Sequence, residues 1–275
     1  MSLSVVRNAA NTSSIIKTLS DEHKFKLKGT GVVSFHLCCG WFHDDDGKLC
    51  YAPHQHVEKV MNNYLRLFGK HPHNAHSPLT LGNHPKLDTS DLLYDTNIQI
   101  YQSLIGSLQW AIQIGRFGIA TPVMTLSRFR ACPRQGHLDC VKRVIGYLSK
   151  FKHGIIRICT DKPDCSNIPK KEYDWFYTCY AGAREGVPED CPTPRGNLVI
   201  ATTYVDANLF HDMISGRSLT GILHLLNMTP IDWCSKLQTT VETATFGSEH
   251  VAARTATEQI MDLHLTLRYM GVPID

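Results

Sequence analysis

The spacing of apolar residues predicts a chain whose middle is helical and whose last third begins with strands. Apolar side chains recur at intervals of three and four residues in four segments of the first 151 residues, which indicates amphipathic helices. These segments are residues 55–68, 101–114, 119–129 and 138–151. Short strands joined by the D-G turn of HDDDGK precede the first of them. The front part of the chain is therefore predicted to be α+β.

Beyond residue 197 the pattern changes to three strands followed by one long helix. The predicted strands are 198–206, 218–227 and 230–236, and the helix covers 248–271. A stretch with five prolines separates the two parts (Pro163, Pro169, Pro188, Pro192 and Pro194), and we place a domain boundary near residue 195. The predicted fold class is α/β with an α+β front region.

Composition narrows the function classes. With 275 residues, 43% of them hydrophobic and 19% charged, the chain is expected to fold around real cores. No apolar run of about 18 residues occurs, so no transmembrane helix is expected, and the first 20 residues lack the apolar stretch of a secretion signal. Ten cysteines without a C-x-x-C pair indicate reduced thiols in an intracellular protein of the cytoplasm or nucleus.

Positive charge is concentrated in the helical part. Nine Lys or Arg side chains lie between residues 116 and 157, against one acid, Asp139. They are Arg116, Arg128, Arg130, Arg134, Lys142, Arg143, Lys150, Lys152 and Arg157. Such an excess is typical of a surface that faces phosphates, and charge alone leaves a solvated helix face as an equal alternative.

Four sequence blocks resemble the pol polyprotein of copia-type LTR retrotransposons. YQSLIGSLQWA at 101–111 is similar to the Y-x-S-L-I/V-G-S-L block of that family, and LSRFRACPRQGHLDCVKRVIGYL at 126–148 to its L-S-R-F block. YVDANLFHDMISGRSLTG at 204–221 resembles S-D-A-D-W-A-G-D…R-K-S-T-S-G, and IDWCSKLQTTVETATFGSEHVAAR at 231–254 resembles the block that ends in E-A-E-Y.

The resemblance implies an architecture for the whole chain. Residues 1–95 would be a remnant of the end of a reverse-transcriptase palm and the start of its thumb, and residues 96–160 thumb-like or connection-like helices that carry the basic patch. Residues 161–197 would be an irregular linker, and residues 198–275 a truncated ribonuclease H-like β-β-β-α unit. The polymerase Asp pair and the last two ribonuclease H carboxylates are expected to lie outside this chain.

The same resemblance assigns the candidate site residues. Tyr204-Val205-Asp206-Ala207 approaches the Y-x-D-D turn of a polymerase, but the flanking blocks identify it as the ribonuclease H strand, with Asp206 as the first metal-binding Asp. Glu249 matches the catalytic Glu, and the implied cofactor is Mg²⁺, held by an incomplete carboxylate set. Asp212 and Asp232 match no family role that we can assign.

Three departures from the family pattern occur. Gly118 replaces the Asp of an R-x-D-I-A block, and Gly247 replaces one of two glutamates. Cys38 and Cys39 stand where a glycine is usual, which would be unfavourable if the backbone there needs a positive φ.

The expected function is that of a retrotransposon reverse transcriptase/ribonuclease H fragment without catalysis, which binds an RNA–DNA hybrid or other nucleic acid non-specifically. The residues expected to contact phosphates are Arg128, Arg130, Arg134, Lys142 and Arg143. Two alternatives stay open. One is an active ribonuclease H completed by another chain, and the other is a domesticated interaction scaffold.

Overall fold

The computed structural model describes residues 9–24, 32–82, 84–164, 166–167 and 186–274. The aromatic residues predicted in the irregular segment, Tyr173, Trp175, Tyr177 and Tyr180, lie outside these ranges. The chain divides into two units, Met1–Ser34 and Phe35–Asp275. The first contains helix α1 (Ala9–Asp21), and the second contains every other element described below.

A four-stranded antiparallel sheet begins the larger unit. Its strands are β1 (Phe35–His36), β2 (Cys39–His43), β3 (Leu49–Ala52) and β4 (Ile156–Arg157), in that spatial order. The D-G turn predicted in HDDDGK connects β2 and β3. Asp44 shapes it by accepting the backbone N–H groups of Asp46 and Lys48, and it also pairs with Arg157 at 2.6 Å.

Four helices enclose the main hydrophobic core. They are α2 (His54–Phe68), α3 (Asp95–Gln113), α4 (Ala120–Ser127) and α5 (Gln135–Lys150), with short 3₁₀ turns at Pro85–Leu87 and Phe117–Ile119. The four predicted helical segments are confirmed, although α3 begins at Asp95 instead of residue 101; the other ends lie within three residues of the prediction. The period of three and four residues explains the packing of α5, because Val141, Val144, Ile145 and Leu148 share one face and have no exposed surface.

The last part of the chain is a three-stranded antiparallel sheet with one helix. Strands β5 (Ala201–Asp212), β6 (Arg217–Leu226) and β7 (Thr229–Leu237) pair in sequence order, and α6 (Thr245–Tyr269) packs on β5 and β6. The order of strands and helix matches the prediction. A bulge between Asn208 and Asp212 lengthens β5 beyond the predicted end of the strand, with Phe210 at φ +52°.

Among the residues that the structure describes there are thus six α-helices and two antiparallel sheets, which makes the protein a mixed α/β protein. None of these helices combines the length and the apolar character that crossing a membrane requires.

The β1–β2 turn holds the cysteine that the sequence marked as unusual. Its two residues, Leu37 and Cys38, have φ values of +49° and +64°, as in hairpin turns that favour Asn-Gly. Because a side chain in this conformation costs roughly 1–2 kcal/mol, we expect Cys38→Gly to raise the free energy of unfolding by about 1 kcal/mol in chemical denaturation. Cys132→Gly is the control: Cys132 is exposed and its φ is not positive, so this change should not stabilise the protein. Equal effects of both substitutions would contradict the prediction.

Candidate nucleic-acid interface and ribonuclease H residues

Asp206 lies in the middle of β5 with its side chain exposed. It pairs with Gly221 of β6, and it lines a cavity of about 440 Å³ together with Thr121, Trp233 and Ser235. These neighbours place the Asp206 carboxylate on the side of the sheet that faces helix α4.

Helix α6, which carries Glu249, covers the other side of that sheet. His224 lies there and its Nε2 is 3.1 Å from Oε1 of Gln259 on α6. Nε2 of Gln238 donates hydrogen bonds to the hydroxyl of Thr220 on β6 and to the Ser248 carbonyl. These bonds hold the start of α6 on the same side of the sheet as His224. Side chains alternate between the two sides of a strand, so the structure does not bring Asp206 and Glu249 onto one side of the sheet.

These residues, as placed, do not fit a two-metal centre. Such a centre needs several carboxylates around two ions about 3.5–4 Å apart. Within the described ranges, no group of three or more His, Cys, Asp or Glu side chains is positioned to hold a metal ion. The assignment of Asp206 and Glu249 as metal ligands stays a prediction.

Among the predicted phosphate contacts, Arg128 takes part in an ion pair with a buried acid. Its Nη2 is 2.8 Å from Oδ2 of Asp212, which is 1% exposed, while the Arg128 side chain is 45% exposed. Lys86 approaches the same carboxylate at 3.6 Å and donates to the His211 carbonyl. The three charges join the end of α4, the turn at Pro85–Leu87 and the β5–β6 connection.

Hydrogen bonds explain how this acid stays charged. Burial by itself would raise the pKa of Asp212, but the side chains of Arg128 and Ser215 and the Ile214 amide stabilise the anion and lower its pKa to about 2. Burial lowers the pKa of Lys86, and the attraction of Asp212 opposes that effect. Asp212 is therefore a charged residue at neutral pH in a buried setting.

Three other predicted contacts also have partners within the chain. Arg134 donates to the Ser90 carbonyl and precedes α5, and Nη2 of Arg143 donates to Ser77 Oγ at 3.2 Å. Lys142 pairs with Asp139 at 2.9 Å and lies over the ring of Phe68. These side chains are partly exposed, so each of them would contact phosphate while keeping or exchanging an internal partner.

Arg130 is the member of the set that is most available to a ligand. Its side chain is exposed, its Nε donates to the Ser127 carbonyl at 3.2 Å, and no carboxylate of the described residues forms an ion pair with it. The set of five predicted phosphate contacts stays a prediction, with Arg128 and Arg130 as its exposed members.

Known proteins resemble this chain over about three fifths of its length. The chain is 27% identical over 172 residues to a retrovirus-related Pol polyprotein from transposon TNT 1-94 of Nicotiana tabacum, which is 62% of this chain and 10% of that protein. It is 27% identical over 168 residues to a protein of transposon Ty5-1 of Saccharomyces cerevisiae, covering 61% of this chain and 42% of that protein.

These are partial similarities at low identity to proteins of retrotransposons. The chain spans less than half the length of either of these relatives. A third relative, secreted RxLR effector protein 161 of Plasmopara viticola, is 25% identical over 168 residues, which is 61% of this chain and 94% of that protein. No protein-family model matches the chain. No solved structure matches it.

Two residues that organise this region were missed by sequence reasoning. The sequence assigns no role to Asp212, yet it is the buried centre of the cluster with Lys86 and Arg128. Trp233 was seen only as part of a strand, yet its Nε1 donates to the Ile112 carbonyl at 3.0 Å, which ties β7 to α3. The partners of Asp212 and Trp233 are all more than 80 residues distant in sequence. No local pattern therefore indicates these contacts.

Proposed function

We propose that this chain is a segment of a retrotransposon Pol protein, from the end of the reverse transcriptase to the first part of the ribonuclease H domain, that binds nucleic acid without cleaving it. The observation that carries the proposal is the similarity to Pol proteins over about 170 residues. The order of the helices, the three antiparallel strands and the long helix is consistent with it.

The positions of the acids support the non-catalytic part of the proposal. Asp206 lies on the α4 side of the sheet, and α6 with Glu249 covers the other side. Mg²⁺ prefers near-octahedral oxygen coordination, which two separated carboxylates do not provide. A third carboxylate from another chain would be needed for the alternative, an active ribonuclease H.

The exposed arginines support the binding part. Arg128 and Arg130 lie at the end of α4, and Lys142 and Arg143 follow on α5. Contacts of this kind neutralise phosphates and release counterions. Their contribution to the binding affinity is therefore independent of the nucleotide sequence and falls steeply as the salt concentration rises. An RNA–DNA hybrid is the ligand that the relationship to Pol proteins favours.

The test is fluorescence anisotropy with a labelled RNA–DNA hybrid at about 50 and 200 mM salt. We expect the affinity to fall roughly a hundredfold or more between the two conditions. Arg130→Gln should weaken binding and reduce the slope of log K against log salt by about 1, because one phosphate contact is lost.

The matched control is Arg254→Gln, because Arg254 is an exposed arginine of α6 that pairs with Glu258 and lies outside the basic patch. This change should leave the salt slope unchanged. Equal effects of the two variants, or no binding at either salt, would reject the proposed interface.

A further inference from the structure

A cavity of about 690 Å³ lies between the α3–α4 connection, the end of α5 and the start of β4. Basic side chains line it, namely Arg116, Lys150, His153 and Arg157. No Asp or Glu is among its described lining residues. A cavity of this size is in the range of small-molecule sites.

Arg116 is the unusual member of this group. Arg116 is only 8% exposed, and its Nη2 donates a hydrogen bond to the Phe151 carbonyl at 2.6 Å. No carboxylate of the described residues lies within ion-pair distance of it, although Arg stays protonated in proteins. Burial lowers the pKa of Arg116, an effect that Tyr147 opposes. A buried cation without a counter-ion is unfavourable unless an anion joins it.

The backbone holds this guanidinium at the wall of the cavity. Gly115, at φ +111°, turns the chain after α3, and a Cβ there would collide with Ile156. Gly154 packs directly on Nη1 of Arg116, where any Cβ would overlap the guanidinium. Two glycines thus allow the close packing that keeps Arg116 in place.

The remaining basic groups differ in how far they are already neutralised. Arg157 forms ion pairs with Asp44 and Asp46, so it adds little free positive charge. Lys150 contacts the ring nitrogens of His76 and lies over the ring of Phe151. Arg116 and Lys150 therefore supply the positive charge that an anion would meet.

Aromatic and apolar surface lies beside these charges. Phe117, Tyr147 and Phe151 line the cavity, and the last two rings are in contact at 4.8 Å between centroids. Ile155, Met228 and Pro230 complete an apolar wall. Flat aromatic ligands pack well on such surfaces.

We propose that this cavity binds a nucleotide, with its phosphate at Arg116 and Lys150 and its base against the aromatic and apolar wall. The site goes beyond the proposed hybrid-binding surface, whose residues Arg128, Arg130, Arg134, Lys142 and Arg143 do not line this cavity. The nucleotide is either free or the terminal nucleotide of a strand, since both present the same phosphate and base.

The test is isothermal titration calorimetry with adenosine 5′-monophosphate, adenosine and inorganic phosphate. We expect the monophosphate to bind at least about tenfold more tightly than either part, because charged hydrogen bonds and base packing act together. Arg116→Met should abolish this advantage. Since the loss of Arg116 also disturbs the packing at Gly154, a second variant is needed.

Gly118→Asp is this second variant. Gly118 lines the cavity, and a Cβ there meets only the Tyr147 hydroxyl at 3.7 Å, so a short side chain fits. The added carboxylate should weaken binding of the monophosphate at least about tenfold by repulsion and by competing for the cations, whereas the neutral, equally sized Gly118→Asn should change it less than about threefold. Equal effects of Asp and Asn, or no advantage of the monophosphate over adenosine, would overturn the proposal.

Two oligonucleotides that differ in a 5′-phosphate identify the source of the ligand. If the phosphorylated strand binds more tightly and adenosine 5′-monophosphate competes with it, the site binds strand ends. If both strands bind equally, the site binds free nucleotides. Hybrid binding that persists in Gly118→Asp and falls in Arg130→Gln separates this site from the proposed interface.

Discussion

We expect Trp233→Ala to lower the free energy of unfolding by about 3 kcal/mol, the cost of truncating a large aromatic side chain in a packed contact. Trp233 extends from β7 into the helical core, where its Nε1 donates to the Ile112 carbonyl at 3.0 Å and its ring lies 5.1 Å from that of Phe117. The substitution removes both the packing and the hydrogen bond that join the second sheet to α3. Chemical denaturation measures the loss.

Two further variants separate packing from general effects of the substitution. Trp233→Phe keeps most of the packing surface and should cost about half as much. Trp110→Ala, at a tryptophan of α3 that is 41% exposed, should cost less than Trp233→Ala. Hydrogen exchange should show faster exchange in β7 in Trp233→Ala. A loss below about 1 kcal/mol, or one no larger than that of Trp110→Ala, would contradict this account.

Asp212→Asn has a comparably large expected effect, a loss of about 3 kcal/mol in the free energy of unfolding. The substitution keeps the size of the side chain but removes the anion between Lys86 and Arg128. The Lys86 side chain is 6% exposed, so its charge would be left in a buried place without a counter-ion. Urea denaturation at neutral pH measures the change.

The pH dependence gives an independent check. The pKa of Asp212 is lowered from 3.8 to about 2, so its contribution to stability is complete above about pH 4 and is lost as the pH falls through 2. A difference of nearly two pKa units corresponds to about 2.5 kcal/mol. The stability difference between the parent protein and Asp212→Asn should therefore shrink by about 2 kcal/mol between pH 5 and pH 2, since half of the folded-state carboxyl groups are still ionised at pH 2.

The control is Asp262→Asn, an exposed carboxylate of α6. It should change stability by less than about 0.5 kcal/mol at either pH. A difference between the parent and Asp212→Asn that does not vary with pH would show that Asp212 acts through packing instead of charge.

The helices and strands of this protein are predictable because their signals are local. The three- and four-residue spacing of apolar side chains predicts α5 by itself, as Val141, Val144, Ile145 and Leu148 show. Ser215 and Gly216, which are residues typical of turns, lie between β5 and β6 in the structure. The bulge at Phe210 was not predicted, since nothing in LFHD marks a positive φ. The bulge lies next to the β5–β6 connection, where the Asp212 side chain points inward and pairs with Lys86 and Arg128. These partners are distant in the sequence, so the local pattern does not reveal the bulge.

The site is less predictable than the fold because it depends on which side of a sheet a residue faces and on partners distant in the chain. Composition identified the basic cluster, but the ion pair of Arg128 with Asp212 and the isolation of Arg116 follow from tertiary packing. The resemblance assigns Asp206 and Glu249 to one metal site, which requires both carboxylates on the same side of the sheet. Here the pairing of Asp206 with Gly221 sets the carboxylate on the α4 side.

The measurement that tests the central claim most directly is incubation of a 5′-labelled RNA–DNA hybrid with the protein in Mg²⁺ or Mn²⁺, with anisotropy and product length read from the same samples. The account predicts binding without cleavage above the protein-free control. Cleavage that disappears in Asp206→Asn and persists in Asp262→Asn would contradict it, and would establish an active ribonuclease H.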